Sequence, residues 1–194
     1  MRKLAFFMAL AVGFCMAGNA VASAQSIDVF AGLNALTASQ AIQNIPRLGG
    51  GLFPSAGVEL MLLGPVGVGG EVAFRGSAQN YSGTSLRPIY YDINLVATPI
   101  TISRSIVPVV MVGIGSQSLR AFQGLTQCGT PGGCVTYASS NHLTAHLGLG
   151  LKVYVTQHIF LRPEAHFYFI RHNTEFATTN AERFGISLGY SLGG

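Results

Sequence analysis

The sequence predicts an all-β protein, an eight-stranded antiparallel up-and-down transmembrane β-barrel. Three observations lead to this prediction: apolar and polar residues alternate along eight segments, long and short connections alternate between them, and the chain is apolar overall. Its mean hydropathy is +0.43, and 9% of its residues are charged, whereas about 25% is usual in soluble domains. The chain beyond residue 24 has no run of about 18 consecutive apolar residues that could form a spanning helix. Because lipid offers no partner to backbone N–H and C=O groups, a spanning structure without helices must be a closed barrel.

The N-terminus carries the features of an export signal. Two basic residues follow the initial Met, and then come an apolar run, Leu4–Ala17, and the tripeptide Ala22-Ser23-Ala24. This order is typical of a secretory signal peptide with a small-x-small cleavage site. The run is shorter than the about 20 residues that a spanning helix needs. We therefore expect residues 1–24 to be a cleaved signal peptide and residues 25–194 to form a single domain.

Each of the eight segments shows the period of two that is typical of a β-strand. In the third, Val66, Val68, Val72 and Phe74 alternate with Gly67, Gly69, Glu71, Ala73 and Arg75. The segments lie at about 26–34, 54–62, 66–75, 88–98, 107–116, 142–155, 158–171 and 182–192. These lengths suit a bilayer, which a tilted strand crosses in about 9–11 residues.

The connections between the segments differ in length in a regular order. Long connections rich in Ser, Thr, Asn, Gln and Gly are predicted near 35–53, 76–87, 117–141 and 172–181. The turns near 63–65 and 156–157 are very short, and the one near 99–106 is moderate. Outer-membrane barrels combine short periplasmic turns with longer external loops. The order therefore indicates a bacterial outer membrane, with both chain termini on the periplasmic side.

Charged residues occur on the polar faces of the segments. Facing lipid at mid-depth, each Arg or Lys would cost about 2–4 kcal/mol, so we expect these side chains to point inward. Eight strands enclose a space that side chains just fill, and inward glycines leave room for long side chains. The predicted lumen charge network consists of Glu59, Glu71, Arg75, Asp92, Lys152, Arg162, Glu164 and Arg183.

Two cysteines of the domain, Cys128 and Cys134, bracket five residues of a predicted external loop. In an oxidising exported compartment a disulfide is the default interpretation of such a pair. We expect a loop disulfide here. A stapled loop loses less entropy on binding, so this loop is the best candidate for contact with a ligand outside the cell.

Several local patterns together resemble a known family. They are Val107-Pro108-Val109 with Gly113-Ile114-Gly115, Leu147–Lys152 with Leu161–Ala165, and Arg183-x-Gly185-x-x-Leu188-x-Tyr190. In this order they resemble the small outer-membrane barrels of the OmpA/OmpX type, the outer membrane protein β-barrel family. The last pattern is similar to the C-terminal signal that the barrel-assembly machinery reads. The chain departs from the family by ending in Ser191-Leu192-Gly193-Gly194 instead of an aromatic residue.

We expect a structural role in the outer membrane or a surface interaction through the external loops, and three alternatives remain open. They are a small pore for ions or solutes, a lipid-modifying enzyme of the lipid A deacylase kind, and a soluble periplasmic ligand-binding barrel. The soluble barrel would have to turn its apolar face inward. The enzyme would need a His with a Ser and an acid, and the sequence fixes no Ser near Glu164 and His166.

We expect no catalytic, metal or cofactor site and no enzymatic activity. His142 and His146 share one strand face but lie about 13 Å apart at about 3.3 Å per residue, too far to share a metal ion. The expected partners are outer-membrane lipid, the barrel-assembly machinery and a surface ligand at the loops. The basic residues are scattered rather than clustered on one face, which excludes a nucleic-acid-binding surface. We expect a monomer.

Overall fold

The computed structural model describes residues 26–38, 50–81, 84–129, 133–171 and 180–193. Its strands are β1 (Ser26–Ala38), β2 (Leu52–Leu63), β3 (Val66–Phe74), β4 (Gln79–Tyr81), β5 (Thr84–Ala97), β6 (Ile106–Gly129), β7 (Gly133–Tyr154), β8 (Ile159–Ile170) and β9 (Asn180–Leu192). Within these ranges no helix is long and apolar enough to cross a membrane. The signal peptide expected at 1–24 lies outside the described residues and stays a prediction.

Eight of the strands form a closed wall. Each is antiparallel to its neighbours in the order β3-β2-β1-β9-β8-β7-β6-β5, and pairing between β3 and β5 closes the ring. The short β4 pairs with β5 beyond the end of β3, where it extends the wall on one side. The predicted eight-stranded antiparallel up-and-down barrel is therefore confirmed.

The two faces of the wall are as different as the alternation predicts. Ile114 and Leu188 are 65% and 58% exposed on the outside, whereas Arg162 and Arg183 are fully buried inside. Apolar side chains form most of the outer surface of the wall strands, and the buried charged side chains point into the lumen. This arrangement contradicts the alternative of a soluble barrel, which would need its apolar face inside.

The hairpin of β6 and β7 corrects the prediction of a long loop near 117–141. The two strands stay in register from Ser118↔Asn141 to Gly129↔Gly133, with one irregularity between Phe122 and Gln127. Backbone hydrogen bonds continue the pairing here irrespective of side-chain polarity. Beyond the bilayer neither face of a strand meets lipid, so the sequence loses its apolar alternation although the strands go on.

The two ends of the barrel differ in their connections. One end carries the turn Gly64-Pro65, the segment 98–105, the segment 155–158 and both ends of the described chain. Gly64 turns the chain with a φ of 57°, in the left-handed region that glycine adopts without steric cost. By the rule of short periplasmic turns this end faces the periplasm. The opposite, external end carries the β6–β7 hairpin and the connections from β1 to β2 and from β8 to β9.

Candidate functional site in the barrel lumen

Side chains pack the lumen in three layers, and a cavity remains at its periplasmic mouth, lined in part by Asp28, Met61 and Lys152. The external layer is apolar and aromatic and contains Leu36, Phe53, Ala73, Tyr90, Leu119, Tyr168, Ile170 and Ala181. The middle layer, which we call the charged layer, holds Asp28, Glu59, Glu71, Asp92, Asn94, His146, Lys152, Arg162, Glu164, His166 and Arg183. A small cluster of Met61, Val96, Val109 and Met111 packs toward the periplasmic end. Eight-stranded barrels have an interior of the size that side chains fill in this way.

A chain of ion pairs runs through the charged layer. Lys152 Nζ contacts the Asp28 carboxylate and lies 2.7 Å from Glu59 Oε2. The other Glu59 oxygen accepts from Arg162, whose Nε donates to Glu164 Oε2 at 2.7 Å. All five groups are buried, and buried charges are stable only when paired and hydrogen-bonded. The chain thereby ties β1, β2, β7 and β8 together.

A second ion pair joins β9 to β3. Arg183 Nη2 donates to Glu71 Oε1 at 2.6 Å, and the Tyr168 hydroxyl donates to Asp92 Oδ2 at 2.9 Å. Glu71 and Asp92 face each other directly across β3 and β5. Like charges in directly opposed positions destabilise a sheet, so this carboxylate pair needs positive charge beside it.

Two histidines continue the hydrogen bonding across the lumen. His146 Nδ1 lies 2.7 Å from Asn94 Oδ1, and His146 Nε2 lies 2.7 Å from His166 Nδ1. The remaining ring nitrogen of His166, Nε2, is 3.5 Å from Glu164 Oε2. The two imidazole rings are nearly parallel, and the Tyr168 ring stacks on His146. Both rings are thus fixed by packing as well as by hydrogen bonds.

Each basic side chain of the charged layer also lies over an aromatic ring. The Arg162 guanidinium is 3.9 Å from the centre of the Phe30 ring. Lys152 Nζ is 5.2 Å from the Phe160 ring, and the Arg183 guanidinium is 5.6 Å from the Tyr168 ring. A cation within about 6 Å of a ring face is attracted by the ring quadrupole, more strongly where water is excluded. The rings compensate part of the desolvation of the three cations.

Inward glycines provide the room that these side chains occupy. A Cβ atom at Gly189 would overlap the Phe160 ring, and one at Gly57 would overlap the Phe30 ring. At Gly150 it would lie 3.2 Å from Arg162 Cδ. The glycines on the polar faces therefore serve the packing of the lumen.

The structure brings seven of the eight predicted network residues into the charged layer. The eighth, Arg75, is buried one residue beyond β3, with its guanidinium against Gly51 near the external end. The predicted network left out four members of the charged layer, Asp28, Asn94, His146 and His166. All four lie on the polar faces of their strands, so the alternation gave a signal for each of them.

The predicted disulfide falls on side chains outside the described residues. The backbones of Cys128 and Cys134 lie directly opposite each other in the β6–β7 hairpin. The disulfide between them stays a prediction.

A known protein family matches the sequence of this chain. The model of the outer membrane protein beta-barrel domain matches residues 7–191. The chain belongs to this family. Membership in it places the chain among outer-membrane barrels. No curated protein sequence matches the chain.

Solved structures share the fold of this outer-membrane barrel at low sequence identity. Neisserial surface protein A is 12% identical with a TM-score of 0.61, and the match covers 89% of this chain and 98% of that one. The N-terminal β-barrel domain of Pseudomonas aeruginosa OprF is 12% identical with a TM-score of 0.58 and coverages of 86% and 97%. Ail, the attachment invasion locus protein of Yersinia pestis, is 11% identical with a TM-score of 0.57 and coverages of 88% and 100%.

Proposed function

We propose that this outer-membrane barrel has a structural role in the membrane and contacts a ligand outside the cell through its external segments. The observation that carries the proposal is the filled lumen. Among the largest side chains of the described residues, Arg162, Arg183, Tyr90 and Phe53 are fully buried within it. A barrel whose interior is packed offers its wall to lipid and its external end to partners.

The external aromatic layer supports a barrel that does not conduct. The Tyr90 and Tyr168 rings lie 4.8 Å apart between their centres, and Phe53 lies 6.2 Å from Tyr90. Gln117 donates to the Tyr90 hydroxyl at 2.8 Å, which fixes the ring in place. Ion passage would require these rings and the ion pairs beneath them to move.

The pore alternative is tested by planar-bilayer recording of the purified, folded protein. We expect no steady single-channel steps, because the charged and aromatic layers block the lumen. Steady, sizeable current steps from the folded protein would contradict the proposal, provided that they are absent when the protein has been unfolded. An established open porin recorded in the same bilayer serves as the positive comparison.

Among the described residues, Glu164, His166 and Ser187 of the lumen do not form a Ser–His–acid triad. Ser187 Oγ donates to Glu164 Oε1 at 2.8 Å, so this serine contacts the acid directly. A Ser–His–acid triad instead needs the histidine between the other two groups. Expression of the protein should leave the mass spectrum of lipid A unchanged. A new lipid A mass would support the enzyme alternative.

For the external contact, we propose the β6–β7 hairpin as the binding element. It extends to Gly129 and Gly133 at the external end of the barrel. The Ail structure of similar fold was determined in complex with the heparin analogue sucrose octasulfate, which gives a precedent for ligands on such barrels. We further propose export by the 1–24 signal peptide, assembly by the barrel-assembly machinery and a monomeric state.

A cell-based comparison tests both parts of the role. Cells lacking the protein should be more sensitive to detergent and adhere less to a surface coated with sulfated polysaccharide. A variant with residues 121–139 replaced by a two-residue turn should restore detergent resistance and fail to restore adhesion. Full adhesion by that variant would rule out the hairpin as the binding element.

A further inference from the structure

Three side chains in the centre of the lumen have the composition of a metal site. Glu71 on β3 and Glu164 and His166 on β8 each place a ligand atom within 4.8 Å of the other two. The three residues are at most 6% exposed. In the ring of eight wall strands β3 lies directly opposite β8, so the cluster spans the lumen from wall to wall.

Two atoms of this cluster have no hydrogen-bond partner among the described residues. They are Glu71 Oε2 and His166 Nε2. The histidine Nε2 is 3.5 Å from Glu164 Oε2, without hydrogen-bond geometry. Buried polar atoms in native proteins are nearly always satisfied by protein, water or an ion, so a water molecule or an ion belongs beside both atoms.

The hydrogen bonds of the two histidines fix which nitrogen of His166 is available. Asn94 Oδ1 accepts only, so His146 Nδ1 must carry the hydrogen of their 2.7 Å bond. Nε2 of a neutral His146 then accepts from Nδ1–H of His166. In this tautomer of a neutral His166, the lone pair of Nε2 faces the two carboxylates. Metal-binding histidines are oriented in this way by a hydrogen bond from their other ring nitrogen.

The charged layer contains more carboxylates than permanent cations, which favours a bound cation in this cluster. Its five carboxylates are Asp28, Glu59, Glu71, Asp92 and Glu164, and its three permanent cations are Lys152, Arg162 and Arg183. With neutral histidines the layer carries two excess negative charges. Arg75 lies outside the layer, against Gly51 at the external end. Uncompensated charge in a buried place is strongly unfavourable, and a divalent ion would balance these two charges.

We propose that the lumen binds one divalent transition-metal ion of the zinc class through His166 Nε2 and the carboxylates of Glu71 and Glu164. Imidazole nitrogen and carboxylate oxygen are ligands that zinc takes in proteins. Arg183 contacts Glu71, and both Arg162 and Ser187 contact Glu164. The ion would complete a layer that is otherwise in place. The ion would link the opposite strands β3 and β8 and stabilise the barrel.

The test uses untagged protein purified from outer membranes in detergent, because a histidine tag would itself bind metal. After removal of metal with a chelator, we expect the protein to take up about one equivalent of Co²⁺, as one preformed site requires. Visible absorption of the bound Co²⁺ and a higher unfolding temperature with Zn²⁺ should accompany the uptake. Uptake well below one equivalent would overturn the proposal.

Variants locate the site. His166→Gln and Glu71→Gln should each weaken Co²⁺ binding by about tenfold or more, while His158→Ala, at an exposed periplasmic turn, should bind like the wild type. Folding of each variant is checked by its heat-dependent migration on gels. If one lumen variant fails to fold, the other decides. Unchanged binding in a folded lumen variant, or loss of binding in His158→Ala, would exclude this site.

Discussion

The lumen and the lipid-facing wall of this barrel are built from alternate residues of the same strands. Leu161 is 38% exposed on the outside of β8, whereas its neighbour Arg162 is fully buried inside. Leu161 needs only an apolar surrounding, which lipid supplies in every direction. Arg162 needs Glu59, Glu164 and the Phe30 ring in fixed positions. The difference shows that the outer face specifies insertion into the membrane, and the inner face specifies a particular barrel.

The strongest test of this contrast removes a central cation of the lumen. Arg162→Leu should lower the free energy of unfolding by about 3–5 kcal/mol, because it removes the cation that the buried Glu59 and Glu164 share. The chain contains no Trp, so urea unfolding in lipid vesicles is followed by circular dichroism. Arg171→Leu, at an exposed position one residue beyond β8, is the matched control. Equal stability of the Arg162 variant and the wild type would show that the ion-pair chain contributes nothing.

A charge on the outer face should have a somewhat smaller effect. Leu188→Arg places a cation on the lipid side of β9, where the cost at the bilayer midplane is about 2–4 kcal/mol. The reason is desolvation alone, since no fixed partner is lost. Glu182, exposed on the same strand near its external end, is the control position, and Glu182→Arg should cost much less. The same unfolding measurement applies, and equal costs at the two positions would contradict the assignment of the lipid-facing zone.

Adding a methyl group next to an aromatic ring of the lumen should lower the free energy of unfolding by less than the charge on the outer face does. In Gly189→Ala the new methyl group would overlap the Phe160 ring, and overpacking of this kind typically costs about 1–3 kcal/mol. Gly76→Ala, where the nearest atom would be 3.5 Å away, should be close to neutral in the same unfolding measurement. A neutral Gly189→Ala would mean that the ring of Phe160 moves without loss.

The smallest effect is expected for an apolar exchange on the lipid side. Ile114→Val on β6 should change stability by about 0.5 kcal/mol or less, as is usual for surface positions without specific contacts. The inner-face change Met111→Val, on the same strand at 2% exposure, should cost more because it leaves a cavity. Thermal unfolding of the pair in one detergent gives the comparison, and a larger loss for Ile114→Val would reverse the roles of the two faces.

The sequence by itself determined the barrel, the two faces of each strand and the end that carries the short turns. These properties follow from alternation within single strands and from the lengths of connections, both of which are local. The direction of Glu59, Lys152 and Arg183 into the lumen follows from the same period of two. The sequence pattern failed in the β6–β7 hairpin, because strands outside lipid need no apolar face.

Only the tertiary structure decided which charges meet. Lys152 pairs with Asp28 at a separation of 124 residues, and Arg183 pairs with Glu71 at a separation of 112 residues. Such partners depend on the register of every strand pair around the ring and on side chains that reach across the lumen. The same closure brings Glu71 to Glu164 and His166, which lie on opposite strands. Alternation determines whether a side chain points inward or outward. Closure of the barrel determines its position along the barrel axis and its partner.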